Sequence, residues 1–355
     1  MSIDTGLLTN IFPWMIKPRR LEKVENFLEI VSKGGHAGRI RRLDRILPGM
    51  LHNERFLEKM VKLEELLICD NSPVDTHEYP LGIHLPKTLK QLTLCQTSYD
   101  LRQLMPLPQL TQLSMWQLNG SARISVPFVI DLLRNLPQLE TCTLDINIPQ
   151  HGSSRIHDHE PILLSHLDML VLSWDDSVDV GSIMDLLVAP NVLKLGLVGS
   201  PPNGVECWDH LKKFLTRCRP PLENLCIGEL CQLDILLSEC LEISQGITHL
   251  SLAHCPLQTG FFETLTRKED DTKSMDFLPN LLHISLEWCT IDGSHDLLRM
   301  LKSRSNEADH GSTRQRIEEV ILRLKGVGPE IECDVRAIGV ETVQVKPWLS
   351  LYMLH

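Results

Sequence analysis

The chain has 355 residues, 43% of them apolar, and its 35 Lys and Arg against 46 Asp and Glu give a formal charge of −11. This composition is ordinary for a folded chain and excludes collagen-like, coiled-coil and wholly disordered architectures, and the acidic balance disfavours nucleic acid as a general partner. No apolar run reaches the ~18 residues of a membrane-spanning helix, so no membrane association is expected. At roughly 150 residues per domain the length suggests two domains, although a repeat array runs this long as one.

The first residues, MSIDTGLLTNIFPW, lack the basic start and apolar core of a secretory signal, so secretion is not expected. Residues 1–60 carry eleven Lys/Arg against seven Asp/Glu and are the most basic part of the chain. KPRR (17–20) reads as a solvated helix start, with a nuclear-import patch as the alternative. LEKVENFLEIVSKGG (21–35) has the spacing of one amphipathic helix ending at a Gly pair, and AGRIRRLDRIL (37–47) reads as a degenerate first strand or cap. Residues 1–60 are therefore expected to form a helical N-terminal cap or a degenerate first repeat, and 61–355 the main array.

From Leu63 onward one pattern recurs: apolar-x-x-apolar-x-apolar. It starts at Leu63, Leu89, Leu110, Leu139, Leu167, Val192, Leu222, Ile247, Leu281 and Ile317, with a weaker copy at Val340, at intervals of 21 to 36 residues. The fourth and sixth positions of each copy alternate inward on a short strand, and the first closes the same core from the entering loop. The ninth position often holds a small polar residue (Asn71, Thr97, Asn147, Asp175, Ser200, Cys255, Cys289), suited to bonding the backbone of the turn that leaves the strand.

Between strands lie segments with helical spacing. PFVIDLLRNLP (127–137) has Pro at its first turn. ECWDHLKKFLTRC (206–218) sets Trp208, Leu211, Phe214 and Leu215 on one face, and DGSHDLLRMLKSR (292–304) does the same with Leu297, Leu298, Met300 and Leu301. Strand, turn and helix repeated at about 28 residues predict a stacked α/β solenoid in which no repeat buries its own apolar face. The longest intervals contain TRKEDDTKSMD (266–276) and SRSNEADHGSTRQR (303–316), expected to be polar excursions on the helix side.

Catalytic and nucleotide-binding signatures are missing: there is no G-x-S-x-G, no G-x-x-x-x-G-K-[ST], no G-x-G-x-x-G and no H-E-x-x-H. No catalytic residue, cofactor or metal is therefore assigned. HGSSRIHDHE, with His151, His157, His159 and Glu160, is the best metal candidate but reads first as a solvated loop, and Asp175, Asp176 and Asp179 read as a turn with a capping Asp. The eleven cysteines include no C-x-x-C pair, which suits reduced thiols of an intracellular chain, cytoplasmic or nuclear, packed as small apolar residues.

These features resemble leucine-rich repeats. LSLAHCPLQTGFFETL and ISLEWCTIDGSHDLLRML are similar to the cysteine-containing variety common in F-box leucine-rich-repeat proteins, and phrases such as LLRNLPQLETCTL resemble the repeat regions of F-box-like proteins of mushroom-type fungi. The resemblance implies a horseshoe of about eleven irregular repeats, with a parallel sheet on the concave side and helices on the convex side. It also implies a substrate receptor of a ubiquitin ligase, docked on a Skp-type adaptor through an F-box. Leu7-Leu8-Thr9-Asn10-Ile11-Phe12 is only superficially like the start of an F-box. The Leu-Pro entry and Trp-Arg exit are absent, so no working F-box is expected.

Positions three, five and seven of each copy point away from the core and would line the concave face. Position five is mostly small, leaving room for a partner. The candidate partner-binding residues are Gln91, Gln112, Lys194, His249 and His283 at position three, and Trp116, Glu287 and Arg323 at position seven. Trp116 is the one large aromatic among them and a candidate anchor. Trp174 and Trp288, at position eight, belong either to the rim or to the packing under the loops. His249 and His283, on adjacent strands, suit a structural role, with a metal or a pH-dependent partner as alternatives. The expected function is a non-enzymatic scaffold that binds a protein partner.

Overall fold

The computed structural model describes residues 2–4, 37–46, 57, 59–69, 85–95, 107–116, 124–146, 160–175, 178–199, 206–229, 234–267, 277–292, 294–305, 316–324, 330–338, 340 and 342–344. The chain divides into two compact units, Met1–Leu167 and Asp168–His355, a division that falls inside the stretch read as one array. The 17–20 and 21–35 segments, His151, His157 and His159 lie outside the described residues.

In the first unit six strands run parallel: β1 (Ser2–Asp4), β2 (Arg42–Ile46), β3 (Glu65–Cys69), β4 (Gln91–Cys95), β5 (Gln112–Trp116) and β6 (Thr141–Ile146). Each pairs with the next in chain order. A 3-10 turn, Ala37–Arg39, leads into β2. Helix α1 (Val126–Arg134) follows β5; its N-cap Ser125 accepts from the Phe128 N–H, and Pro127 sits in the first turn, where no N–H is needed.

The second unit repeats the scheme with seven parallel strands in chain order. They are β7 (Met169–Trp174), β8 (Lys194–Val198), β9 (Asn224–Gly228), β10 (His249–Ala253), β11 (His283–Glu287), β12 (Glu319–Arg323) and β13 (Thr342–Gln344). Between them lie α2 (Gly181–Leu186), α3 (Glu206–Cys218), α4 (Asp234–Ile243), α5 (Thr259–Leu265), α6 (Ser294–Ser305) and α7 (Glu330–Ala337). Parallel strands in steady chain order, joined by the right-handed crossovers that such strands favour, set the described helices on one face and leave the other face open among the described residues.

The repeat pattern explains the core. In both units the first, fourth and sixth positions are buried: Leu63, Leu66 and Ile68 in one copy, Ile247, Leu250 and Leu252 in another, all 2% exposed or less. Register pairs join like positions, as in Leu195↔Leu225 and Leu250↔Ile284, so apolar rows stack along the strands. Each such side chain contributes about 1.5–3 kcal/mol through burial. On the helices, Trp208, Leu211, Phe214 and Leu215 are buried as the spacing predicts.

The ninth-position reading holds at two described copies. The buried Cys255 thiol donates to the Ala253 carbonyl at 3.1 Å, and Cys289 donates to Leu252 at 3.4 Å. Asp179 accepts from the Gly181 N–H at 2.8 Å, at the start of α2, so it is the capping Asp of that turn. One residue earlier, at the eighth position of three copies in the second unit, a further device appears. Glu229, His254 and Trp288 adopt left-handed φ angles of 62°, 54° and 58°. Their N–H groups reach the carbonyls that end the next strand: Glu229 to Ala253 at 2.9 Å, His254 to Glu287 at 2.7 Å, and Trp288 to Arg323. The equivalent residue on β8 is Gly199, with φ 149° and its N–H 3.0 Å from the Gly228 carbonyl. A Cβ there would run into the Trp174 carbonyl and lie 2.8 Å from its indole. Gly199→Ala is expected to cost about 2 kcal/mol through strain and overlap, read as a lower thermal midpoint with the circular-dichroism spectrum unchanged.

Two expectations are corrected. Residues 303–305 do not begin a polar excursion: they close α6, and Arg304 is 1% exposed. Its guanidinium stays buried because backbone carbonyls receive it. Nε donates to Leu265 at 2.6 Å, Nη1 to Leu278 at 3.0 Å and Nη2 to Phe277. Residues 268–276 and 306–315 lie outside the described residues. The second correction concerns Cys95, placed by its position on the open face but 3% exposed. It is a short side chain beside the large Trp116, its register partner.

Arg217, in the last turn of α3, acts as Arg304 does. It donates to the carbonyls of Met184 and Leu187 at 2.6 and 2.8 Å, at the C-terminal end of α2. A cation at a helix C-terminus also meets the negative end of the helix dipole.

Candidate functional site: the open face of the second sheet

The candidate residues separate by unit. Gln91, Gln112 and Trp116 lie in the first. Gln91 and Gln112 are register partners on β4 and β5 and are partly exposed, and Trp116 ends β5 half-buried. Lys194, His249, His283, Glu287 and Arg323 lie in the second unit, on the open face of β8, β10, β11 and β12.

Here the strands shape a groove of about 350 Å³. Its floor is the fifth-position row Gly196, Cys226, Ser251 and Ser285, which are mutual register partners. The floor is tight at Gly196, where a Cβ would sit 3.1 Å from the Val171 methyl, closer than most such contacts. Val171 and Ile321 close the two ends of that row. Along one side runs the third-position row, in which Lys194 and Asn224 lead to the two histidines and Glu319.

The histidines are the best-defined feature. The His249 and His283 rings stack with centroids 4.1 Å apart and planes inclined by 12°. His283 Nδ1 lies 3.3 Å from a Glu319 carboxylate oxygen and Nε2 lies 3.9 Å from Glu318. His249 Nδ1 lies 2.7 Å from the Thr248 hydroxyl. Burial first, then the charges of His283 and Lys194, push His249 below the ordinary 6.5, against the pull of Glu319 and Glu223. Parallel stacked imidazoles direct their in-plane lone pairs side by side instead of toward one point, which does not suit a shared metal. Among the described residues no group of three His, Cys, Asp or Glu is placed to hold an ion.

Glu287 and Arg323 pair with each other at 2.7 Å, and the Arg323 side chain is only 7% exposed. They are a neutral, largely buried pair, not two free anchors. The tryptophans divide: Trp174 is buried under Gly199, whereas Trp288 is half-buried and stacks on the exposed His254 with centroids 6.3 Å apart. The charged and aromatic candidates named from the sequence left out the floor. Ser251, Ser285 and Cys226 carry no such signal, although all three occur at the expected fifth position.

Burial pushes the Cys226 thiol up to about 11 and Cys142 up to about 12. Iodoacetamide at neutral pH is therefore expected to modify the exposed Cys333 well before either, with peptide mapping by mass spectrometry as the readout. Early loss of Cys226 would mean that the groove floor opens in solution. Among the described residues no helix is long and apolar enough to cross a membrane. The chain matches no protein-family model, and no curated protein matches it.

Proposed function

We propose that this chain is a leucine-rich-repeat solenoid acting as a non-enzymatic scaffold that binds a protein partner on the open face of its sheet. The observation that carries the reading is the face itself. Strand after strand presents a side-chain row on it, the helices are confined to the other side, and its centre is a groove with a small-residue floor. Half-buried Trp116 on the face of the first unit and the groove on the face of the second each suit a partner contact.

The test is proximity labelling from the intact protein, in parallel with Trp116→Ser and with Ser251→Arg/Ser285→Arg, which fills the groove. The expected result is a labelled partner that both open-face variants lose and that Lys213→Ser, on the exposed side of α3, keeps. Equal labelling by all forms overturns the reading.

The hydrogen-bonded Cys255 and Cys289 favour a second role. They occupy the turn position of the cysteine-containing repeats common in F-box proteins, which supports a substrate receptor of a ubiquitin ligase. Co-precipitation of a Skp-type adaptor with the full chain would support that role, and a clear negative would retire it.

A further inference from the structure

Resting on the scaffold reading, we infer that the groove takes a basic segment of a protein partner, one presenting an arginine side chain, and holds it only while His249 and His283 are uncharged.

The charge around the groove selects the occupant. Glu319 stands in the third-position row, and the exposed Glu223 and Glu318 stand one residue before β9 and β12, Glu318 3.9 Å from His283 Nε2 and Glu223 near enough for its charge to act on His249. Against these three carboxylates the described residues at the groove carry one ammonium, Lys194, while Glu287 and Arg323 neutralise each other. With neutral imidazoles the site is therefore anionic, on a chain whose overall charge is −11. A cationic partner is steered toward such a surface and an acidic one is repelled.

Shape and chemistry favour guanidinium over ammonium. The floor of Gly196, Cys226, Ser251 and Ser285 admits a flat group. The stacked imidazoles offer an aromatic plane for it to lie against, and the rim carboxylates accept its paired N–H groups.

The same imidazoles make the site sensitive to pH. His249 faces His283, Lys194, Glu223 and Glu319, with the Thr248 hydroxyl at its Nδ1. His283 faces His249, Glu318 and Glu319. A proton on either ring adds a positive charge beside the bound guanidinium and draws Glu319 into an ion pair with His283. A cationic ligand binds best beside an uncharged His249, so affinity is full above the His249 titration and is lost as pH falls through it. For His249 that loss lies below 6.5, because burial lowers its value.

The test uses the full chain and a fluorescent hexapeptide of alternating glycine and arginine, with a glycine–glutamate peptide as control. Anisotropy is measured at about pH 8 and about pH 5.5 at fixed ionic strength. The arginine peptide is expected to bind at the higher pH and to weaken roughly tenfold at the lower, the factor carried by a one-unit displacement of the imidazole pKa by the bound guanidinium. It should slow backbone hydrogen exchange in β10 and β11. His249→Gln/His283→Gln should bind at both pH values with the step removed, and Glu319→Gln should bind weakly at both.

Preference for the glutamate peptide, protection elsewhere on the chain, or a pH step that survives in the double Gln variant overturns the inference. The last two are what general attraction to an acidic chain would produce. If the open-face variants still lose the labelled partner while the arginine peptide fails, only the basic-partner inference falls. If labelling ignores the open face, the scaffold reading falls with it.

Discussion

Arg304→Met is expected to destabilise the second unit by about 4 kcal/mol, one of the largest effects of any single substitution outside the apolar rows. The guanidinium is 1% exposed and donates to three backbone carbonyls, those of Leu265, Phe277 and Leu278. Methionine fills most of the same volume but removes the donor to the Leu265 and Phe277 carbonyls, at about 1–3 kcal/mol each, while the Leu278 carbonyl keeps the Leu281 N–H at 3.2 Å. Arg304→Lys keeps the charge but lacks the planar fork that serves three acceptors at once, so it should recover only part of the loss. Urea unfolding followed by circular dichroism measures both. A midpoint equal to that of the parent for Arg304→Met would mean that water or a neighbouring side chain replaces the guanidinium.

Leu252→Asp is expected to prevent soluble folding. Leu252 is 0% exposed on β10, between the register partners Ile227 and Leu286. An unpaired carboxylate there costs more than a unit of ordinary stability provides. Its neighbour Ser251 points to the open face, so Ser251→Asp should fold normally. Solubility on expression and the thermal midpoint of the two variants read the contrast. Equal behaviour would place the register one residue away, since a slip of one exchanges the two faces.

The strand rows were legible in the sequence because the core obeys a short rule. The first, fourth and sixth positions are buried from Leu63 through to Leu322, and like positions pair across strands. Aligning the copies therefore sets His249 beside His283. The face of α3 was equally readable, since Trp208, Leu211, Phe214 and Leu215 follow helical spacing. Arg304 was not, because its partners are peptide carbonyls, which every residue possesses and no sequence pattern marks. A buried arginine inside a polar run looks the same as a solvated one. The helices α2, α4, α5 and α7 went unnamed; α2 and α5 are only six and seven residues long. Trp174 and Trp288 share a repeat position yet differ in burial. Their neighbours make the difference: Gly199 on the adjoining strand admits the Trp174 ring against its backbone, whereas Trp288 is itself the left-handed residue of its turn.

The arginines that close neighbouring helices also bear on how the chain folds as it is made. Arg217 completes the end of α2 from 33 residues further on, and Arg304 completes the end of α5 from 39 residues further on. In each case the later helix finishes the earlier one. On the ribosome, then, α2 emerges with open carbonyls and waits for α3, and α5 waits for α6, so ordered structure trails synthesis by about one repeat. A chain cut just before α6 would leave α5 in that waiting state permanently.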